Sequence, residues 1–167
     1  MEKEKIILAA GRLSNWHYKG FDFLIEAWGK IADKFPEWRL QIAGTGAKED
    51  FDYLKSLAEK YKVSDRIDFL GYRTDMLELY RKAAIYVLSS RSEGLPMVVI
   101  EAMGQGCACV AVENLGRTKE IIRNEQEGLL CEMENPVDLA EKMCRMISDE
   151  NLRTVIQKNS IERAKYY

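Results

Sequence analysis

The chain has 167 residues, the content of one domain at roughly 100–200 residues per domain, with no room for a two-lobed enzyme. It is 47% hydrophobic, 31% charged and 10% aromatic, which excludes disordered, collagen-like and low-complexity chains. Its 25 basic and 27 acidic residues leave a net charge of −2, so no global positive field recruits nucleic acid or an anionic membrane, and any anion must be met by local groups.

Taken in chain order, Glu2 to Lys5 is charged and runs into an apolar stretch over residues 6–10, too short for a secretory signal or a membrane span. Gly11, Arg12 and Leu13 follow, then a loop through Ser14, Asn15, Trp16, His17 and Tyr18 to Lys19 and Gly20. A helix opens near Gly20, with Leu24, Trp28, Ile31 and Phe35 on one stripe and Pro36 ending it. Residues 40–43 read as a second strand leading into Gly44-Thr45-Gly46. A helix with Phe51, Leu54, Ala58 and Tyr61 on one face comes next. Residues 67–70 and 85–88 read as the third and fourth strands, closed by Gly71-Tyr72-Arg73 and by Ser89-Ser90-Arg91-Ser92-Glu93-Gly94.

Propensity would make a strand of Val98, Val99 and Ile100. Gly94-Leu95-Pro96 ahead of them and Glu101-Ala102-Met103 behind them instead read as a helix with proline in its first turn. Residues 107–112 and 128–131 complete six apolar runs, the former ending in Glu113-Asn114-Leu115-Gly116. Two last helices follow, one opened by Asn135-Pro136 with Val137, Ala140, Met143 and Ile147 in line, the other carrying Leu152, Val155 and Ile156. The apolar runs are continuous rather than alternating, as in strands covered on both faces of a parallel sheet. The expected fold is therefore α/β: a doubly wound, mostly parallel, six-stranded Rossmann-like sheet with helices on both faces, forming a single domain over residues 1–167.

In such sheets ligands sit off the carboxyl ends of the strands. Five successive strands here end in glycines, hydroxyls and charges, which makes that edge the expected site. The helix after Pro96 offers a positive amino terminus suited to phosphate. Glu93 stands at its mouth, and Glu101 lies about two turns further on within an otherwise apolar helix, where a carboxylate needs a partner such as a ligand hydroxyl or a cation. Arg12 and Lys19 flank the first loop and could clamp a diphosphate, one as a planar fork and the other as a point charge.

Other motifs carry less. Gly44-Thr45-Gly46 lacks the third glycine of a dinucleotide fingerprint, since position 49 is Glu49, and no phosphate-loop motif of the Walker type is present. Asp50 and Asp52 fall on a helix where residues two apart point to different sides, so they read as a solvated face and not as a metal pair. His17 is the sole histidine. Cys107, Cys109, Cys131 and Cys144 sit in apolar company and read as reduced core thiols of a cytoplasmic protein.

The segments Gly11-Arg12-Leu13, Lys19-Gly20, Ile42-Ala43-Gly44-Thr45-Gly46, Ile67 to Gly71, and above all Glu93-Gly94-Leu95-Pro96 with Glu101-Ala102-Met103 together resemble the donor-binding domain of retaining GT-B glycosyltransferases of family 4, the glycosyl transferases group 1. The resemblance runs from Ile6 to about Ile147. It implies that Arg12 and Lys19 bind the diphosphate of a nucleotide sugar and that Lys19 steadies the leaving phosphate. It also implies that Glu93 contacts the donor sugar near the reacting carbon and that backbone amides at Gly94 and Leu95 hold phosphate. Gly11 and Gly44 would let the backbone approach the nucleotide, Glu101 would accept from the ribose diol, and Tyr72 and Arg73 would border the base.

The family works without metal or other cofactor, so none is expected. The chain departs from the family's usual glycine pair at Leu115-Gly116, and its loop through Trp16 and Tyr18 is longer and more aromatic, lining a site or covering it. Family members carry a first lobe that holds the acceptor. Its absence here is read as an excised or truncated enzyme, inactive alone, with that lobe as partner. A lobe of a sugar-nucleotide epimerase and a non-catalytic nucleotide-binding module are the alternative readings.

Overall fold

The computed structural model describes residues 2–91, 96–113 and 117–167. Among the described residues, six parallel strands form one sheet: β1 (Glu4–Ala10), β2 (Arg39–Ala43), β3 (Ile67–Gly71), β4 (Ala83–Leu88), β5 (Ala108–Val112) and β6 (Gly128–Cys131). Their order is β3-β2-β1-β4-β5-β6. Each strand falls on one of the six apolar runs, so the expected α/β architecture is what the chain adopts. β5 begins at Ala108, one residue later than its run.

The helices are α1 (Trp16–Lys19), α2 (Phe21–Ile31), α3 (Lys48–Lys60), α4 (Met76–Lys82), α5 (Met97–Gly104), α6 (Thr118–Ile121), α7 (Pro136–Ser148) and α8 (Glu150–Ala164). Alternation along each strand divides the apolar side chains between two cores. Ile7, Ala9, Ile42, Ile85, Val87 and Val110 pack with α2, α3 and α7 on one face. Leu8, Tyr86, Leu88, Cys109 and Ala111 pack with α4, α5 and α6 on the other. At about 1.5–3 kcal/mol for each fully buried large aliphatic side chain, these two layers are what hold the sheet between its helices.

Local signals set the ends of elements. The side chain of Asn135 accepts from the Asp138 amide at 3.0 Å with Pro136 opening α7, and Asp149 does the same for Leu152 at 2.9 Å at the start of α8. α8 then crosses the amino ends of the strands, from Ile156 in the first core to Ala164 against the second. Gln157 Nε2 donates to the Ala84 carbonyl on the way, at 3.1 Å.

Three expectations are corrected. The segment read as a loop through Trp16 and Tyr18 is a short 3-10 turn, Leu13–Asn15, followed by α1, which Gly20 terminates in the left-handed conformation. Pro96 lies just ahead of α5 instead of within its first turn. α4 and α6 were not anticipated, and both are only a turn or two long.

Candidate functional site

The strand order reverses direction between β1 and β4, where successive connections leave on opposite faces and a crevice opens at the carboxyl ends. The strand ends there are stitched to one another. Gly11 N donates to Ala43 O at 3.0 Å, Gly44 N to Gly71 O at 2.8 Å, and Leu13 N to Thr45 O at 2.8 Å. Gly44 is required for this approach: at φ +146°, a β-carbon on it would lie 1.8 Å from the Gly11 carbonyl oxygen.

Above these ends lies a cavity of about 640 Å³. Of the residues singled out from the sequence, Gly11, Arg12, Lys19, Gly44, Tyr72, Arg73 and Glu101 all line it. Glu93, Gly94 and Leu95 fall outside the described residues, as does the segment of Asn114, Leu115 and Gly116.

The lining side chains come from several elements. Arg12 follows β1 directly and is exposed to the cavity. Lys19 closes α1, and its aliphatic stem crosses the bare face of Gly11, where a β-carbon would come within 3.1 Å of Lys19 Cγ. Its carbonyl accepts from Ser89 Oγ at 2.8 Å, which ties α1 to the end of β4. Arg73 forks onto Asp75 at 2.8 and 2.7 Å, and that hydrogen bonding holds the Asp75 carboxyl below its ordinary value. Tyr72 stands 75% exposed at the rim.

Glu101 departs from expectation. α5 begins at Met97, so Glu101 lies little more than one turn in, on the exposed side, and it faces the cavity instead of being buried among apolar side chains. Water and the cavity relieve the cost that burial would have imposed. The cavity also has an apolar wall that sequence reasoning missed: Met76 and Tyr80 from α4 and Val98 from α5. Met76, Leu79 and Tyr80 at i, i+3 and i+4 were the signal for it. The Tyr80 hydroxyl is pushed to higher pKa, first by burial and then by the Glu101 carboxylate.

Other candidates lie elsewhere. Trp16 packs on Tyr53 of α3 with ring centroids 4.6 Å apart, and neither Trp16 nor Tyr18 lines the cavity. His17 is exposed, edge-on to Trp16 at 5.7 Å. Asp52 sits on the surface of α3, paired with Lys48 at 3.3 Å, as a solvated helix face should be. Cys107 and Cys109 both face the second core, where burial pushes the Cys107 thiol up to about 12 and the Cys109 thiol well above its ordinary value. Among the described residues, no three His, Cys, Asp or Glu side chains gather where they could hold a metal ion. No described helix is long and apolar enough to cross a membrane.

The sheet order and the position of the cavity define a Rossmann-like lobe of the kind found in GT-B glycosyltransferases. The family described as "Glycosyl transferases group 1" matches residues 1–163, and the chain belongs to that family. An uncharacterized glycosyltransferase of Haemophilus influenzae is 36% identical over 150 residues, covering 90% of this chain and 41% of the relative. Among solved structures, the C-terminal domain of the group 1 family protein LpcC from Francisella tularensis superimposes with a TM-score of 0.83 at 29% identity, covering 98% of this chain and 85% of that one. HepE from Anabaena, solved with UDP and glucose, has a TM-score of 0.85 at 25% identity, covering 98% of this chain and 44% of its own. The chain thus spans about two fifths of the length of the curated relatives it matches.

Proposed function

We propose that this chain is the donor-binding part of a glycosyltransferase that moves a hexose-type sugar from a nucleoside diphosphate to a glycan, lipid or small acceptor. The transfer retains anomeric configuration and needs no metal ion. One observation carries the reading: a single cavity at the strand reversal brings two cations, Arg12 and Lys19, together with a carboxylate, Glu101, and with Tyr72 and Arg73. That HepE was solved with UDP and glucose supports it.

In this reading Arg12 and Lys19 hold the diphosphate. As the bond from the sugar's anomeric carbon to the phosphate oxygen breaks, negative charge grows on that oxygen. Two preplaced cations stabilise it more in the transition state than in the ground state. The amino end of α5, whose Val98 lines the cavity, adds a partial positive charge. Glu101 accepts from the ribose hydroxyls, and Tyr72 and Arg73 border the base. By the family resemblance, Glu93 contacts the donor sugar and the Gly94 and Leu95 amides hold phosphate. The acceptor is held by a second lobe of the kind the family carries, which makes that lobe the principal partner.

The test is calorimetric titration of the 167-residue chain at low salt with UDP, GDP, ADP and their sugar derivatives. Saturable binding of one nucleoside diphosphate is expected. The absence of heat with all of them overturns the reading.

A further inference from the structure

We infer that Arg91 is a positioning residue for Lys19, acting from the end of β4 across the strand reversal, and that Ser89 shares this role. The inference rests on the reading of Lys19 as a diphosphate ligand.

α1 is only four residues long, too short to hold its own geometry, and it ends at a left-handed Gly20. Its last three carbonyls are each taken by a donor from the same two residues beyond β4. Arg91 Nη1 donates to His17 O, the Arg91 amide to Tyr18 O at 2.7 Å, and Ser89 Oγ to Lys19 O at 2.8 Å. Three consecutive carbonyls leading into Lys19 are therefore anchored to the segment that follows β4, and His17 O accepts in addition from the Gly20 amide that caps α1.

The Arg91 guanidinium is in turn fixed from several sides. It forks onto Asp22 in the first turn of α2 at 3.0 and 2.7 Å. It lies 3.9 Å over the Phe23 ring and comes within 3.6 Å of Glu134. Its side chain is only 14% exposed. Only a planar fork satisfies a carboxylate with two parallel bonds while a third N–H reaches a carbonyl; the ammonium of lysine has neither the reach nor the plane. Gly20 makes the contact close, since a β-carbon there would sit 1.8 Å from Ser89 O. The backbone of Lys19 is thus held from β4 while its stem rests on Gly11 at the end of β1. The backbone and stem of Lys19 are thereby set so that the side chain lines the cavity, which lowers the cost of ordering it on binding.

A double-mutant cycle on the 167-residue chain separates positioning from general support. Binding of UDP, or of GDP or ADP where the wild type prefers them, is followed by NMR titration, whose spectra also report whether each variant keeps the wild-type fold. Arg91→Lys and Ser89→Ala should each weaken the diphosphate by about three- to tenfold, the scale of re-immobilising one long side chain. In a Lys19→Ala background the same substitutions should change affinity by less than about twofold. Losses that persist in full in that background, or no loss in the single variants, overturn the inference. Ser89→Ala, which deletes one hydrogen bond, decides the matter if Arg91→Lys does not fold. An unchanged affinity in Lys19→Ala alone would instead overturn the diphosphate role of Lys19, a failure of the functional reading and not of the anchoring.

Discussion

The carbonyl oxygen of Gly11 occupies the space that a side chain on Gly44 would need, so the ends of β1 and β2 meet backbone to backbone beneath the cavity. Gly44→Ala would force a β-carbon to within 1.8 Å of that oxygen at a backbone angle L-residues rarely adopt. Backbone cannot swing aside as a flexible side chain can. A loss of at least about 1–3 kcal/mol is expected in urea unfolding, together with weaker nucleotide binding. An unshifted midpoint would place the end of β2 elsewhere.

Arg12 is exposed and follows directly on β1, so truncating it should spare the fold. Arg12→Ala should weaken a nucleoside diphosphate by about 1.5–3 kcal/mol, the scale of a hydrogen bond to a charged group. It should also flatten the dependence of binding on salt. Calorimetry at two ionic strengths checks both, and an affinity equal to that of the wild type would remove Arg12 from the site.

Glu101 faces the cavity from the exposed side of α5. Glu101→Gln should weaken a ribonucleoside diphosphate while leaving its 2′,3′-dideoxy counterpart, already deprived of the diol, close to its wild-type affinity. Equal losses for the two ligands, measured side by side, would count against a ribose role.

Burial pushes the Cys107 and Cys131 thiols up to about 12 and raises the Cys109 thiol well above its ordinary value. Their nucleophilic thiolate forms are scarce at neutral pH, and the side chains lie in the core. Brief alkylation of the native chain, read by mass spectrometry, should therefore modify Cys144 first, with all four cysteines reacting after unfolding. Rapid native labelling of Cys107 would contradict the packing of α5 on β5.

Arg39 on β2 and Asp68 on β3 pair across the sheet edge at 3.0 and 2.7 Å. The hydrogen bonds from Arg39 hold the Asp68 carboxyl below its ordinary 3.8. A carboxyl lowered on folding stabilises the fold above its unfolded value, and that contribution fades as the pH falls through 3.8 to the lower folded value. Asp68→Asn should thus cost about 0.2–1 kcal/mol at pH 7, the range for a solvent-screened pair. The difference from wild type should shrink in denaturation at pH 3, and a constant difference would refute the linkage.

The six strands were legible because each carries a short apolar run, buried throughout in β4 and β5 and only partly at the edge strand β3, a pattern that survives without knowledge of neighbours. α1 and α6, of four residues each, show a hydrophobic period only once, and α4, of seven, shows it over barely two turns, too little to stand out from the chain around it. They exist because other elements complete their hydrogen bonds and cover their apolar faces. The same limit hid Met76 and Tyr80, which form the cavity wall from α4. It also led Glu101 to be read as an embedded carboxylate, since periodicity in so apolar a helix does not say which side meets water.

By its own pattern of apolar runs and strand-end glycines, the sequence determined a doubly wound sheet and the edge at which the cavity opens. It also indicated that Arg12, Tyr72 and Arg73 reach that edge, because each stands within two residues of the end of a strand. Tertiary structure alone decided how those groups face one another. Lys19 owes its place to Ser89 and Arg91, some seventy residues away. Glu101 owes its exposure to the packing of α5 against the second core. Hydrogen bonds and burial between distant segments depend on a three-dimensional approach that no local spacing encodes.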